Sequence, residues 1–282
     1  MRVSRISFAL AAFIILLNTN IYPLEKVYIR FSPPAGDKLT YALNTVIQSS
    51  GSNVMGKDIS MAASAKGDLV LDIIRVTANN VYTDLGSSDL LVTVQSPMST
   101  RSLNLAPREK EKLKVVFNRA GGIDKIGNTA ALKRKNLMNF SVIQIIRNYF
   151  PTLPTKPVAA GEYWTENKRM VVPFQGIQLE VLLNVKYTLD SIITTQAGKE
   201  ASISAEYTVS LKGKRSISEG KVFFEGKGTG SGYIHYLVSR GYFTEYRLDY
   251  QIESEMVIKN KDHVLMQLPV SVTANASLEL LK

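Results

Sequence analysis

Four glycines at every second position, Gly226, Gly228, Gly230 and Gly232, with Lys227 between the first two, come closest to a chemical motif in this sequence, because glycine-rich loops beside a lysine cradle phosphates. A phosphate loop must deliver the chain into a helix N-terminus, where free N–H groups face the anion. These glycines lead instead into Tyr233, Ile234, His235 and Tyr236, which reads as a strand. Glycine at every second position strips one face of a strand of side chains, and so predicts a sharp bend or the close approach of another element. His235 and His263 lie on or beside strands without the spacing of a metal pair. Glu253 and Glu255 fall on the polar face of an alternating segment and read as solvated, and Trp164, the single tryptophan, reads as core packing at a strand start. No G-x-S-x-G elbow occurs. The expectation is a non-catalytic protein with no catalytic residue, metal or cofactor.

The elements around these residues are strands. Residues 242–258 alternate: Tyr242, Thr244, Tyr246, Leu248, Tyr250, Ile252, Ser254, Met256 and Ile258 share one face, with mostly charged residues between them. At ~3.3 Å per residue such a strand spans about 56 Å, so it must twist and bend. After the turn residues Asn260, Lys261 and Asp262 the alternation resumes from Val264 to Leu280, which makes a long hairpin. Upstream, Leu39 to Ile47, Ile59 to Ala65, Leu69 to Val76 and Leu90 to Val94 predict an antiparallel meander, and 179–189 and 203–211 predict two more strands. Residues 107–126 fit either a helix opened by Pro107 or a hairpin turning at Gly121 and Gly122. Residues 129–150 predict the one main helix, capped by Thr129 and carrying Leu137, Phe140, Ile143, Ile146 and Tyr149 on an apolar stripe that packs on the sheet.

A short echo links Ala35-Gly36-Asp37-Lys38-Leu39-Thr40 to Ala160-Gly161-Glu162-Tyr163-Trp164-Thr165, each preceded by prolines. It divides the chain into a signal peptide (1–22), an N-terminal β-rich half (23–128), the helix (129–150) and a C-terminal β-rich half (151–282). The fold class is mainly β (α+β), either one long curved antiparallel sheet or two similar halves, with the helix packed on it.

Arg2 and Arg5 followed by twelve uncharged residues form the n- and h-regions of a secretory signal, too short for an ordinary spanning helix. No A-x-A site marks cleavage, so an uncleaved anchor stays open. With no cysteine there is no disulfide, no thiolate site and no lipid-acceptor residue, so a lipoprotein is excluded. The protein is expected to be exported, periplasmic or peripheral to a cell envelope. Of the net charge of +10, +8 falls between Arg101 and Phe150. That segment reads either as a solvated face or as a contact for an anionic membrane surface or envelope partner through Lys133, Arg134 and Lys135. Nucleic acid is not an expected partner for an exported chain.

The segment from Phe150 to Val158 with its three prolines, then Gly161-Glu162-Tyr163-Trp164, then the strand ending Tyr187-Thr188-Leu189, followed by the Gly-rich strand, the Gly241 turn and the aromatic strand, resembles an uncharacterised family of exported β-rich envelope proteins. It is similar to the N-terminal region of spirochaetal OmpA-like proteins, across residues 150–258. The resemblance implies a β-rich envelope protein and supplies no catalytic or binding residue, and no OmpA-like peptidoglycan-binding segment is found in these residues.

Three functional readings follow. The first is an envelope protein holding a lipid or other apolar or amphipathic ligand on a concave sheet, with Tyr246, Leu248, Tyr250, Phe140 and Ile143 as its contacts. The second is a structural or adaptor protein docking through the basic segment. The third is an outer-membrane β-barrel, suggested by the long alternating strands.

Overall fold

A computed structural model describes residues 25–52, 58–107, 111–129, 143, 150–174, 177–218, 220–261 and 263–281. Its elements are β1 (Lys38–Ser52), β2 (Asp58–Val76), β3 (Asn80–Gly86), β4 (Leu90–Ser96), β5 (Ser99–Asn104), β6 (Leu113–Asn118), β7 (Ile123–Gly127), β8 (Tyr163–Phe174), β9 (Ile177–Thr195), β10 (Gly198–Ile217), β11 (Gly220–Leu237), β12 (Tyr242–Asn260) and β13 (His263–Leu281). They form one 13-stranded sheet in the order β7-β6-β3-β2-β1-β13-β12-β11-β10-β9-β8, with β4 and β5 alongside β2. Every pairing is antiparallel. The first and last strands pair from Thr40–Leu281 to Gly51–Val270, which joins the N- and C-terminal stretches into a single sheet.

All elements among the described residues are strands, so the expected packed helix is not supported; apart from Thr129, Ile143 and Phe150, the span 129–150 lies outside the described residues, as does the expected signal segment. Residues 113–127 resolve to the hairpin β6–β7, because Leu113, Val115 and Phe117 alternate inward while Gly121, at φ +78°, supplies the left-handed turn.

The sheet curls around one end. Phe117 on β6 and Tyr187 on β9, far apart in strand order, belong to the same buried cluster. Phe31, Phe117, Phe150, Phe243 and Tyr41 knit that end into an aromatic core, with centroid separations from 4.6 to 6.4 Å. A strap of residues 25–34 crosses it: Val27 bridges Val158, the Phe31 N–H donates to Arg119 O at 2.9 Å, and the Ser32 N–H donates to Gly241 O at 2.8 Å. The Tyr236 hydroxyl donates to Arg30 O at 2.7 Å, and the Arg119 guanidinium donates to the carbonyls of Phe31, Thr77 and Ala78.

The two segments of the sequence echo make matching backbone bonds at the lead-ins to β1 and β8. Gly36 (φ +90°) donates its N–H to Ile73 O and Asp37 O accepts from the Ile73 N–H, while Gly161 (φ +85°) donates to Leu189 O and Glu162 O accepts from the Leu189 N–H. In both, an Ala-Gly-acid turn sets the first rung of an antiparallel pair.

Along β12 the expected alternation holds from Tyr246 to Ile258, but a bulge opposite His235/Tyr236 shifts the start of the strand. Phe243, which lies between the residues of the apolar face in the alternation, is therefore buried and stacks on Tyr41 at 4.6 Å. Lys261 takes the left-handed position (φ 52°) of the β12–β13 turn.

Candidate ligand surface

The glycine column does what strand glycines predict. A Cβ on Gly228 would lie 2.2 Å from Gln251 O and 2.7 Å from Ile252 Cγ1, and one on Gly230 would lie 2.4 Å from Asp249 O. β12 leans over the inner face of β11 at distances no side chain allows, so the sheet creases there and the inner faces on the two sides of β11 converge. Tyr207 on β10 and Tyr246 on β12 meet over the crease with their hydroxyls 3.1 Å apart. Toward the tips, Leu179, Val181, Val209, Leu211, Val222, Phe224 and Ile252 form a second apolar cluster.

Between the two clusters lies a polar layer. Glu166 and Lys168, on the inner face of the edge strand β8, pair at 3.0 Å with side chains only 11% and 27% exposed. The Tyr187 hydroxyl donates to Glu166 Oε2 at 3.2 Å, and the Thr152 hydroxyl donates to Oε1. Trp164 stacks on Tyr187 at 5.4 Å and donates its indole N–H to Thr152 O at 2.8 Å. Both oxygens of the carboxylate are engaged by donors, so the group is organised to hold the tyrosines in place. Inward charges on an edge strand also oppose pairing with another chain.

Beyond this layer the inner faces of β1, β2 and β13 stay apolar but are only half buried: Ile47, Met61, Ala63, Met266, Leu268, Val270 and Val272. The outer face of the same region carries Gln48, Ser50, Thr273 and Asn275, and β12 turns Arg247, Asp249, Gln251, Glu253 and Glu255 outward. Two open depressions, about 540 and 640 Å³, lie mainly among such outward polar residues: Asn184, Thr208, Lys227 and Gln251 line the first, Gln48, Ser60 and Gln95 the second.

The residues expected to contact a ligand separate. Tyr246 is 3% exposed and belongs to the polar layer, Leu248 and Ile143 pack half-buried on the main core, and Tyr250 packs on the second cluster. Phe140, Lys133, Arg134 and Lys135 lie outside the described residues. Elsewhere in the basic segment Lys112 pairs with Asp72 at 3.1 Å, and Lys114 pairs with Asp84. Sequence reasoning missed Glu166, Lys168, Tyr187 and Tyr207; the signal available was two opposite charges at i and i+2 on the face that also carries Trp164.

Burial holds the tyrosines protonated. Desolvation raises Tyr187 well above its ordinary range, with Tyr246 and Glu166 adding to it; burial and then Tyr187 raise Tyr207, and burial raises Tyr41, Tyr236 and Tyr250. A raised folded pKa means stability that is complete below the unfolded value of about 10 and lost as pH climbs through the folded values. Tyrosinate absorbance at alkaline pH, followed beside far-ultraviolet circular dichroism, is expected to show these five ionising only as the sheet signal collapses. Ionisation near the ordinary value with the sheet intact would contradict the burial described.

No family model matches the chain, and no curated protein matches it in sequence. Among solved structures it is similar to Pseudomonas aeruginosa OccK2 (OpdF) in complex with glucuronate, at 8% identity over 87% of this chain and 99% of that one, with a TM-score of 0.20. That score is too low to bear on fold or function.

Proposed function

We propose that this chain is a non-catalytic, exported envelope protein that holds an apolar or amphipathic ligand along the inner face of its sheet, beyond the tyrosine layer. The observation that carries the reading is the asymmetry of β1, β2 and β13 near their tips: half-buried Ile, Met, Leu and Val inward, Ser, Thr, Asn and Gln outward. An alternating strand leaves one face apolar only where something covers it. About ten methylenes laid along this strip contribute ~8 kcal/mol at ~0.8 each, the scale of a micromolar complex before the cost of immobilising the chain. The charged outer face of β12 has the opposite sense to the apolar outer band of a membrane barrel, which favours this reading over a barrel.

The test is the protein's own cargo. Organic extracts of the protein purified from its native envelope without detergent, read by mass spectrometry, are expected to contain one amphiphile near stoichiometry. Extracts free of any such molecule would remove the ligand-holding role.

A further inference from the structure

The β10–β11 and β12–β13 hairpins end side by side, since Lys221 pairs with Lys259 across β11 and β12. They reach beyond the β1–β2 end: Gly51 of β1 already pairs with Val270, and β13 continues from there to His263. The two tips are strongly basic. Lys214, Lys221, Lys259 and Lys261 are exposed there, and across residues 213–223 and 256–268 the sequence carries five cations against Glu219 and Asp262; Lys212 stands further back, between Glu180 and Glu225 on the neighbouring strands. Beside them Val264 and Leu265, consecutive and so on opposite faces, are 53% and 54% exposed. Lys259 Nζ sits 5.7 Å over the Phe223 ring, which leaves that ring shielded by a cation.

Exposed aliphatic side chains at a hairpin tip, ringed by lysines, match a surface that is anionic at its face and apolar just beneath it. We infer that these paired tips dock peripherally on an anionic lipid bilayer, with Val264 and Leu265 entering the headgroup boundary and the four lysines meeting lipid phosphates. The commitment to a bilayer rather than an acidic protein rests on the consecutive exposed Val and Leu: a purely electrostatic protein contact needs only the charges. This inference goes beyond the ligand-holding role and does not require it, although docking would bring the open end of the apolar strip against the source of an amphiphile.

Sedimentation of the full chain with vesicles tests it. Binding is expected to vesicles of equal parts phosphatidylglycerol and phosphatidylcholine, weakening with salt, and not to pure phosphatidylcholine. Each basic residue near an anionic surface is worth roughly fivefold in affinity, so Lys214→Glu/Lys221→Glu/Lys259→Glu is expected to lose about a hundredfold or more. Val264→Ser/Leu265→Ser is expected to weaken binding at every salt concentration, while Lys38→Glu/Lys156→Glu at the strapped end leaves it unchanged. Circular dichroism of each variant checks that the sheet is retained. The inference is overturned if the wild type ignores anionic vesicles, binds neutral vesicles equally, or loses as much affinity from the control reversal as from the tip reversal. It is also overturned if the Val264/Leu265 variant binds as wild type, since the surface would then be a docking site for an acidic partner. Lipid extraction is read separately, so an empty trough and a non-docking tip are distinguishable failures.

Discussion

Gly228→Val and Gly230→Val are each expected to destabilise the protein by ~3 kcal/mol or more, the upper end of what overpacking costs. Against a typical folding free energy of ~5–15 kcal/mol that is a large fraction. The atoms that a new Cβ would meet are Gln251 O at 2.2 Å and Asp249 O at 2.4 Å. These are backbone carbonyls of β12, fixed by the strand ladder, so the clash cannot be relieved by rotating a side chain. Relief requires β12 to move, which separates Tyr246 from Tyr207 and opens the second apolar cluster. Gly127→Ala is the matched control, since its Cβ would meet Lys114 Cβ at an ordinary 3.4 Å, and it is expected to shift stability by less than about 1 kcal/mol. Urea unfolding midpoints with an unchanged slope measure the difference. A Gly228→Val protein of wild-type stability would mean that β11 and β12 do not crease as described.

The strands were legible because their period-2 patterns are long. From Tyr246 onward β12 presents the expected face, and its partner β13 follows in register to Leu278. The single sheet was not legible: the pairing of β1 with β13 links residues more than two hundred apart, and no local pattern encodes it. Phe243 falls outside the alternation because a β-bulge breaks it without changing the composition. The strap of residues 25–34 does alternate, with Val27, Ile29 and Phe31 buried and Lys26, Tyr28 and Arg30 exposed, but its partners Arg119, Val158 and Gly241 are scattered along the chain and no local pattern encodes them. The polar layer was hidden for a different reason. Glu166 and Lys168 look like ordinary surface charges until the pairing of Glu166 with Val185 and Lys168 with Leu183 turns them inward.

The second large effect concerns the inner face of β9, at the polar layer beyond which the apolar strip runs. Leu182 and Leu183 are neighbours on β9 that face opposite ways: Leu182 is 41% exposed on the outer side, whereas Leu183 packs half-buried where the two apolar clusters meet. A carboxylate at Leu183 would stand opposite Lys168, whose ammonium already pairs with Glu166 at 3.0 Å, and would have to lose water as a bound chain covers it, a cost of several kcal/mol. Leu183→Asp is therefore expected to weaken ligand binding at least tenfold, ~1.4 kcal/mol or more. Leu182→Asp, which keeps its charge in water, is expected to leave binding unchanged.

The most direct measurement uses the single tryptophan, because Trp164 stacks on Tyr187 in the layer where the strip begins. Titrating a dibrominated long-chain fatty acid while following Trp164 fluorescence reports a chain that reaches this layer, since bromine quenches only at short range. Saturable quenching at micromolar fatty acid, lost in Leu183→Asp and kept in Leu182→Asp, is the result expected of a ligand held along the inner face. Fluorescence unchanged by the brominated chain, or quenching equal in both variants, would contradict it.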